Sequence, residues 1–265
     1  MAKKQEQEFA LFDRQQCYQP CMSKENHFDA SVAETYDRDH GNTDPQVLMR
    51  TVEVLADLAE GGRVLEFAIG TGRIALTLAA QGVDVAGIEL SPDMVAVMRR
   101  KPGGGDIPVI IGDISEAQID GAFSLVVLVF NTIDNLTTQD AQVACFANAA
   151  RHLRPGGRFV VETLVPPLQD LPFGQTIRAF AADPDHMGSD TFDVVTQKYV
   201  SHHIWPKSEG CQQLSVPFRY AWPAEMDLMA RLAGLVTEHR WADWDRQPFT
   251  KDARKHISVW RKPLG

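Results

Sequence analysis

No run of about 18 apolar residues occurs, so no transmembrane helix is expected. The opening Met1-Ala2-Lys3-Lys4-Gln5-Glu6-Gln7-Glu8 lacks the apolar stretch of a secretory leader. Cysteine is scarce. Cys17 and Cys21 have three residues between them, Cys145 and Cys211 lie far off, and no second Cys or His pair follows at zinc spacing. Reduced thiols, no bound metal and a cytoplasmic location are therefore expected. Positive charge is also in short supply: 26 Lys and Arg against 35 Asp and Glu give a formal net charge of -9. No basic run exceeds Arg99-Arg100-Lys101, which argues against a nucleic-acid partner or an anionic membrane surface. Internal repeats and low-complexity tracts are missing as well.

The chain does hold an alternation of strand-like and helix-like segments within 265 residues, 44% of them apolar. One domain with an insertion, or two small domains, suits that length. The organising stretch runs from Arg63 to Leu76. Val64–Phe67 reads as a buried strand, Ala68 to Gly72 as a tight small-residue turn, and the rest as the start of a helix. Such a turn sets backbone N–H groups and a helix N-terminus against a ligand, and glycine keeps a Cβ from blocking the approach. Upstream, Phe28 to Asp39 predicts a short helix capped by Asp29 or Ser31 and ended at Gly41. Asp44-Pro45 opens another, with Leu48, Val52, Leu55 and Ala59 on one face, closed by Gly61-Gly62.

Downstream, strands are expected at Val83 to Ile88, Val109 to Ile111, Phe123 to Phe130 and Arg158 to Leu164. Helices are expected up to Ala80, from Ser91-Pro92 to Arg100, and from Gln139 to Leu153, with Pro155-Gly156-Gly157 as a sharp stop. This is an α/β pattern with a doubly wound, mostly parallel sheet. From about Thr176 to Tyr220 the alternation gives way to antiparallel strands, with Leu214, Val216, Phe218 and Tyr220 on one face. A helix after Trp222-Pro223 and strands at Val236 to Trp241 and Ile257 to Arg261 complete a seven-stranded sheet. The expected division is an N-terminal arm and helical cap (1–43), a cofactor-binding core (44–165), a β-rich substrate lid (166–221) and a C-terminal completion of the core (222–265).

The turn has two readings. Counting from Gly70 and Gly72, the dinucleotide fingerprint reaches Ala75 at its third small position, which leaves a nicotinamide oxidoreductase open. The longer match is acidic-x-small-x-Gly-x-Gly: Glu66, Ala68, Gly70, Gly72. With Glu89 ending the second strand and Asp113 ending the third, the chain resembles the class I, Rossmann-like methyltransferases that use S-adenosylmethionine. The resemblance covers Asp44 to Leu164. It implies that Ala68, Gly70, Thr71 and Gly72 approach the methionine tail. Glu89 and Leu90 would meet the ribose, Asp113 and Ile114 the adenine, and Phe130 and Asn131 the tail again. Ala68 departs from the glycine often found there. The sequence after the fourth strand, Asn131-Thr132-Ile133-Asp134-Asn135-Leu136, lacks the Pro-Pro-aromatic turn of enzymes that methylate exocyclic amines of bases or glutamine amides.

The layout is similar to glycine N-methyltransferases and antibiotic-sugar N,N-dimethyltransferases, so the acceptor is expected to be a small molecule, methylated on O or N. Tyr36 would close over the methionine end. A base is needed only where the acceptor keeps its proton. The candidates are Asp134, His202 and His203, the two histidines pointing to opposite strand faces, with His27 and His40 further off. Arg219 and Tyr220 are read as an ion pair and a core aromatic, and the tryptophans as core and rim packing. A catalytically inactive cofactor sensor and a homodimer are both left open.

Overall fold

A computed structural model describes residues 28–39, 44–208 and 210–264. The expectations for the N-terminal arm, Cys17, Cys21, His27, His40 and the Gly41 helix end lie outside these residues.

The elements run α1 (Ala30–Asp39), α2 (Pro45–Ala59), β1 (Val64–Phe67), α3 (Arg73–Ala80), β2 (Val85–Glu89), α4 (Pro92–Arg99), β3 (Val109–Ile111) and β4 (Phe123–Leu128). They continue α5 (Gln139–His152), β5 (Leu153–Leu164), β6 (Ile177–Asp183), β7 (His186–Asp193), β8 (Lys198–Pro206), β9 (Cys211–Arg219), α6 (Pro223–Leu232), β10 (Val236–Trp241) and β11 (Lys255–Arg261). The helix starts follow the capping chemistry. The carboxylate of Asp29 accepts the Ser31 and Val32 N–H groups. Asp44 and Ser91 cap α2 and α4 ahead of a proline in the first turn.

Seven strands form one sheet in the order β10-β11-β5-β4-β1-β2-β3. β4, β1 and β2 pair in parallel, as does β5 with β4, whereas β11 runs antiparallel to β5 and β10. β1, β2 and β4 are buried along their whole length, which is why they read as mostly apolar runs, interrupted by Glu66, Glu89 and Ser124. One core layer, around Phe146, Phe159 and Trp260, lies under α5 and α6; the other, around Leu55, Ile74 and Met98, lies under α2, α3 and α4. The strand order reverses between β1 and β4, so a crevice opens at their carboxyl ends.

β6 to β9 form a separate four-stranded antiparallel sheet. It is fastened to the core at two main points, the second of which also holds Gln197 of the β7–β8 turn, donating to Glu225 at 2.6 Å. Tyr199 Oη donates to Asp134 at 3.2 Å, and Arg219 pairs with Glu225 at 2.7 Å. Gln142 of α5 reinforces the second point by donating to the Arg219 carbonyl at 2.9 Å. Arg219 is thus an ion pair with a helix, not with a neighbouring strand, and Tyr220, Trp244 and Trp260 are core residues.

Four boundaries differ from the sequence expectation. β4 ends at Leu128 because Val129 leads into Phe130 (φ 57°) and Asn131 (φ 59°), both left-handed and incompatible with a strand. β2 begins at Val85, two residues late. Pro155-Gly156-Gly157 is a bulge within β5, with Gly156 bonded to Lys262, so the strand starts at Leu153. β11 reaches back to Lys255, where it pairs with Leu164.

Candidate active site

β1 delivers the glycine turn into the crevice. Ala68, Gly70 and Gly72 all take left-handed φ values, 53°, 57° and 82°. At Gly72 a Cβ would stand 2.6 Å from Met98 Cγ, so only glycine fits. Ala68 accepts the strained conformation with its small side chain, one of the places where backbone strain concentrates at functional sites.

The turn walls a small, partly open cavity of about 40 Å³, lined by Tyr36, Glu66, Ala68, Gly70, Thr71, Arg73, Phe130 and Thr132 among others. A wider, open groove between Arg63, Arg99, Ile110 and Asp120 lies at the amino ends of β1 and β3, the wrong end of the sheet for an open α/β site. Glu66 is fully enclosed in the cavity wall. Burial raises its pKa to about 8, against the pull of the Ala75 N–H and the Arg73 charge. Its Oε2 has no hydrogen-bond partner among the described residues. Arg73, the first residue of α3, lays its guanidinium 3.5 Å from the Phe130 ring centroid.

Glu89 braces the turn from the next strand. Oε2 accepts the Gly70 N–H at 2.9 Å and Oε1 the Ser91 N–H at 2.9 Å. Burial raises its pKa, and those N–H groups oppose the rise. Leu90 beside it is partly exposed. Asp113 caps the loop after β3, accepting the Ser115 N–H at 2.7 Å, and Ile114 is buried behind it, its carbonyl bonded to Asn148 at 2.9 Å. Glu162 of β5 holds the left-handed pair in place: its carbonyl accepts the Asn131 N–H at 3.1 Å, and its carboxylate accepts Trp244 Nε1 at 3.0 Å.

α1 closes one side. Thr71 Oγ1 donates to Asp37 Oδ1 at 2.6 Å, and Lys101 Nζ bridges Asp37 at 2.6 Å and the Thr71 carbonyl at 2.7 Å. This clasp carries Tyr36 into the cavity wall.

Asp134 sits in a short 3-10 turn two residues beyond Thr132, buried, its pKa raised to about 7 by burial against the pull of Tyr199 and Arg219. His202 and His203 do leave opposite faces of β8. His202 bonds Ser215 at 2.8 Å, while His203 bonds His186 at 3.0 Å, and Trp205 packs against both rings. Neither lines the turn cavity.

The residues that the sequence reading passed over are Arg73, Asp37, Tyr199 and Glu162. Arg73 had a local signal: a cation at a helix N-terminus opposes the helix dipole, which suits an anionic ligand there. The others are brought in by tertiary contact alone.

The fold and its glycine-turn crevice define a Rossmann-like nucleotide-type site. A model described as a methyltransferase domain matches residues 64–157. The solved structure of the CcbJ methyltransferase from Streptomyces caelestis is 34% identical, with a TM-score of 0.78, covering 88% of this chain and 96% of that one. The cypemycin N-terminal methyltransferase of a Streptomyces species is 26% identical over 243 residues, 90% of this chain and 98% of that protein. A dTDP-3-amino-3,4,6-trideoxy-alpha-D-glucopyranose N,N-dimethyltransferase of Streptomyces venezuelae is 35% identical, but over 43% of its length only. The chain belongs to the class I S-adenosylmethionine-dependent methyltransferases. It is a methyltransferase and uses S-adenosylmethionine.

Proposed function

We propose that this enzyme methylates an amine nitrogen of a small natural-product or sugar-like molecule, with the sheet of β6 to β9 as the substrate lid. The observation that carries the reading is Asp134, a buried carboxyl group two residues beyond Thr132 of the cavity wall and tied to Tyr199 of the outer sheet. An amine acceptor is an ammonium at neutral pH and has no lone pair until it loses a proton. A carboxylate whose pKa is held near 7 is matched to taking that proton. Two relatives described above carry nitrogen acceptors in their names, the cypemycin N-terminal methyltransferase and the amino-sugar N,N-dimethyltransferase.

The residues present fit the cofactor. Its tail bears a carboxylate and an ammonium, and the cavity offers the Arg73 guanidinium for the first and the unpartnered Glu66 Oε2 for the second. Glu89 has lone pairs left for the ribose diol beyond the two N–H groups it accepts. Asp113 with the Ile114 N–H would meet the adenine, and Phe130 and Asn131 the tail. Tyr36 and α1 would cover the methionine end, making residues 28–39 a cap. When bound, S-adenosylmethionine would supply a methyl carbon on a cationic sulfur, activated for displacement by the acceptor lone pair with the neutral thioether as leaving group. The protein's own work is alignment and exclusion of water. The reading includes no nucleic-acid partner, given the net charge of -9, and a cytoplasmic setting, with Cys145 a buried free thiol.

Incubation with a methyl-labelled donor and a metabolite extract, followed by mass spectrometry, tests this. A labelled N-methyl product is expected. A product labelled on oxygen would overturn the amine reading, and binding of NAD(H) without S-adenosylmethionine in calorimetry would overturn the cofactor assignment to these residues.

A further inference from the structure

The loop after β3 carries Asp113 and Ile114 but belongs to no strand or helix, and α5 holds it from behind. Asn148 of α5 is fully buried and spends both hydrogens of its amide on this loop. Nδ2 donates to the Ile114 carbonyl at 2.9 Å and to the Ala117 carbonyl at 2.9 Å. Oδ1 accepts Arg151 Nη1 at 3.1 Å, so donors and acceptor together allow one orientation of the amide. One turn further on, His152 Nε2 accepts the Ile119 N–H at 3.2 Å, and Nδ1 lies 2.8 Å from the Asn148 carbonyl. A ring nitrogen that accepts carries no proton, so the neutral ring bears its hydrogen on Nδ1 and donates it to that carbonyl. Phe67 and Phe123 pack edge to face around the ring, and burial keeps it neutral by lowering its pKa.

Three backbone groups of one short loop thus end on two side chains of one helix, 31 to 34 residues away in sequence. The loop's own bonds set its shape. The Asp113 carbonyl accepts the Glu116 and Ala117 N–H groups at 3.0 and 2.7 Å, and the Asp113 carboxylate accepts the Ser115 N–H at 2.7 Å. They do not set its position. That comes from Gly112, whose N–H donates to the Glu89 carbonyl at 2.8 Å, and from α5. The Asp113 carbonyl and the Ile114 N–H share one trans peptide plane and point opposite ways. With the carbonyl turned into the loop and the next carbonyl fixed on Asn148, the direction of the Ile114 N–H is fixed too.

We propose that Asn148 and His152 are positioning residues for the adenine of the cofactor: from α5 they set the place and tilt of the loop that presents the Asp113 carboxylate and the Ile114 N–H. The inference rests on the assignment of Asp113 and Ile114 to the adenine. An adenine amino group donates to a carboxylate and ring nitrogen N1 accepts from an N–H, and both contacts are sensitive to distance and angle. Neither α5 side chain touches the ligand.

The test is calorimetry on the full chain with S-adenosylhomocysteine and S-inosylhomocysteine. The second has an oxygen in place of the amino group and a proton on N1, with tail and ribose unchanged, so the ratio of the two affinities reads the adenine contacts alone. The wild type should prefer the adenosyl ligand by about 10- to 100-fold. Asn148→Ala should cut that preference by about fivefold and His152→Leu by about threefold. His152→Gln, whose Oε1 can accept the Ile119 N–H, should restore it. A role in stability alone would weaken both ligands alike, so an unchanged ratio in Asn148→Ala and His152→Leu overturns the proposal. Asp113→Ala separates the two layers of the argument. A full preference in that variant overturns the adenine assignment and the proposal with it; a preference lost there but kept in the α5 variants overturns the positioning role only. Should Asn148→Ala fail to fold, the His152→Leu and His152→Gln pair, which leaves Asn148 in place, carries the test.

Discussion

The two sheets of this molecule are built on opposite terms. In the seven-stranded sheet β1, β2 and β4 have every residue buried. In the outer sheet β9 is mostly exposed and only its last residue, Arg219, is buried. The first sheet is a rigid frame whose strand ends fix Glu66, Glu89 and the turn between them. The second touches the core through Tyr199 and Arg219 and keeps much of both faces for other contacts. A cofactor that never changes suits the first arrangement. An acceptor that differs from one relative to the next suits the second.

That contrast can be broken at several levels. Phe159→Ala empties a site packed edge to face against Phe146 and fully enclosed, and about 3–5 kcal/mol of stability should be lost in denaturant unfolding. Phe218→Ala on β9, stacked on Tyr199 but half exposed, should cost about 1 kcal/mol; equal losses would mean that the outer sheet is as integral as the core. Glu89→Ala removes the acceptor for Gly70 N–H and, on our reading, for the ribose. Calorimetry should show S-adenosylmethionine binding weakened by about 30- to 300-fold, since hydrogen bonds to charged groups are the costly ones to lose.

Glu66 gives a pH test. Its folded pKa of about 8 lies above the ordinary carboxylate value, so the folded state holds the proton more tightly. Stability should therefore fall as pH rises from about 4.5 through 8, and Glu66→Gln should recover about 1–3 kcal/mol at pH 8.5 while changing little at pH 5. Asp134 has the same sign, so the slope is reduced, not abolished. A steeper slope in the variant would refute the buried-acid account. The smallest effect belongs to the join between the sheets: Tyr199→Phe should lower kcat/KM by about fivefold with cofactor affinity unchanged, the worth of one ordinary hydrogen bond of about 1 kcal/mol.

The core was legible because each of its rules is local. A proline after a capping residue starts α2 and α4, mostly apolar runs give the buried strands, and the glycine spacing gives the turn. Glu66, Glu89 and Asp113 could be named for the same reason, each sitting at or near a strand end. What stayed hidden was made by distance in sequence. The clasp of Asp37 on Thr71 spans 34 residues, and Tyr199 meets Asp134 across 65. The end of β4 was misjudged because Val129-Phe130 continues an apolar run, while Glu162, in another strand, helps to bend it into two left-handed residues. The histidines of β8 were put forward on chemistry alone, and the packing of His203 against Trp205 could not be seen from spacing.

The Arg219 fastening has a practical side. The outer sheet departs after Leu164, where Val165 N–H is held by the Arg254 carbonyl, and it returns at Arg219, gripped by Glu225 and Gln142. Both splice points are therefore anchored in the frame, and the second is also held by Gln197 of the β7–β8 turn, which donates to Glu225 at 2.6 Å. A chimera that keeps Val165, Arg219, Glu225 and Gln142 and exchanges the intervening hairpins for those of another such enzyme is a route to recombining one methyl-donor engine with new acceptor preferences.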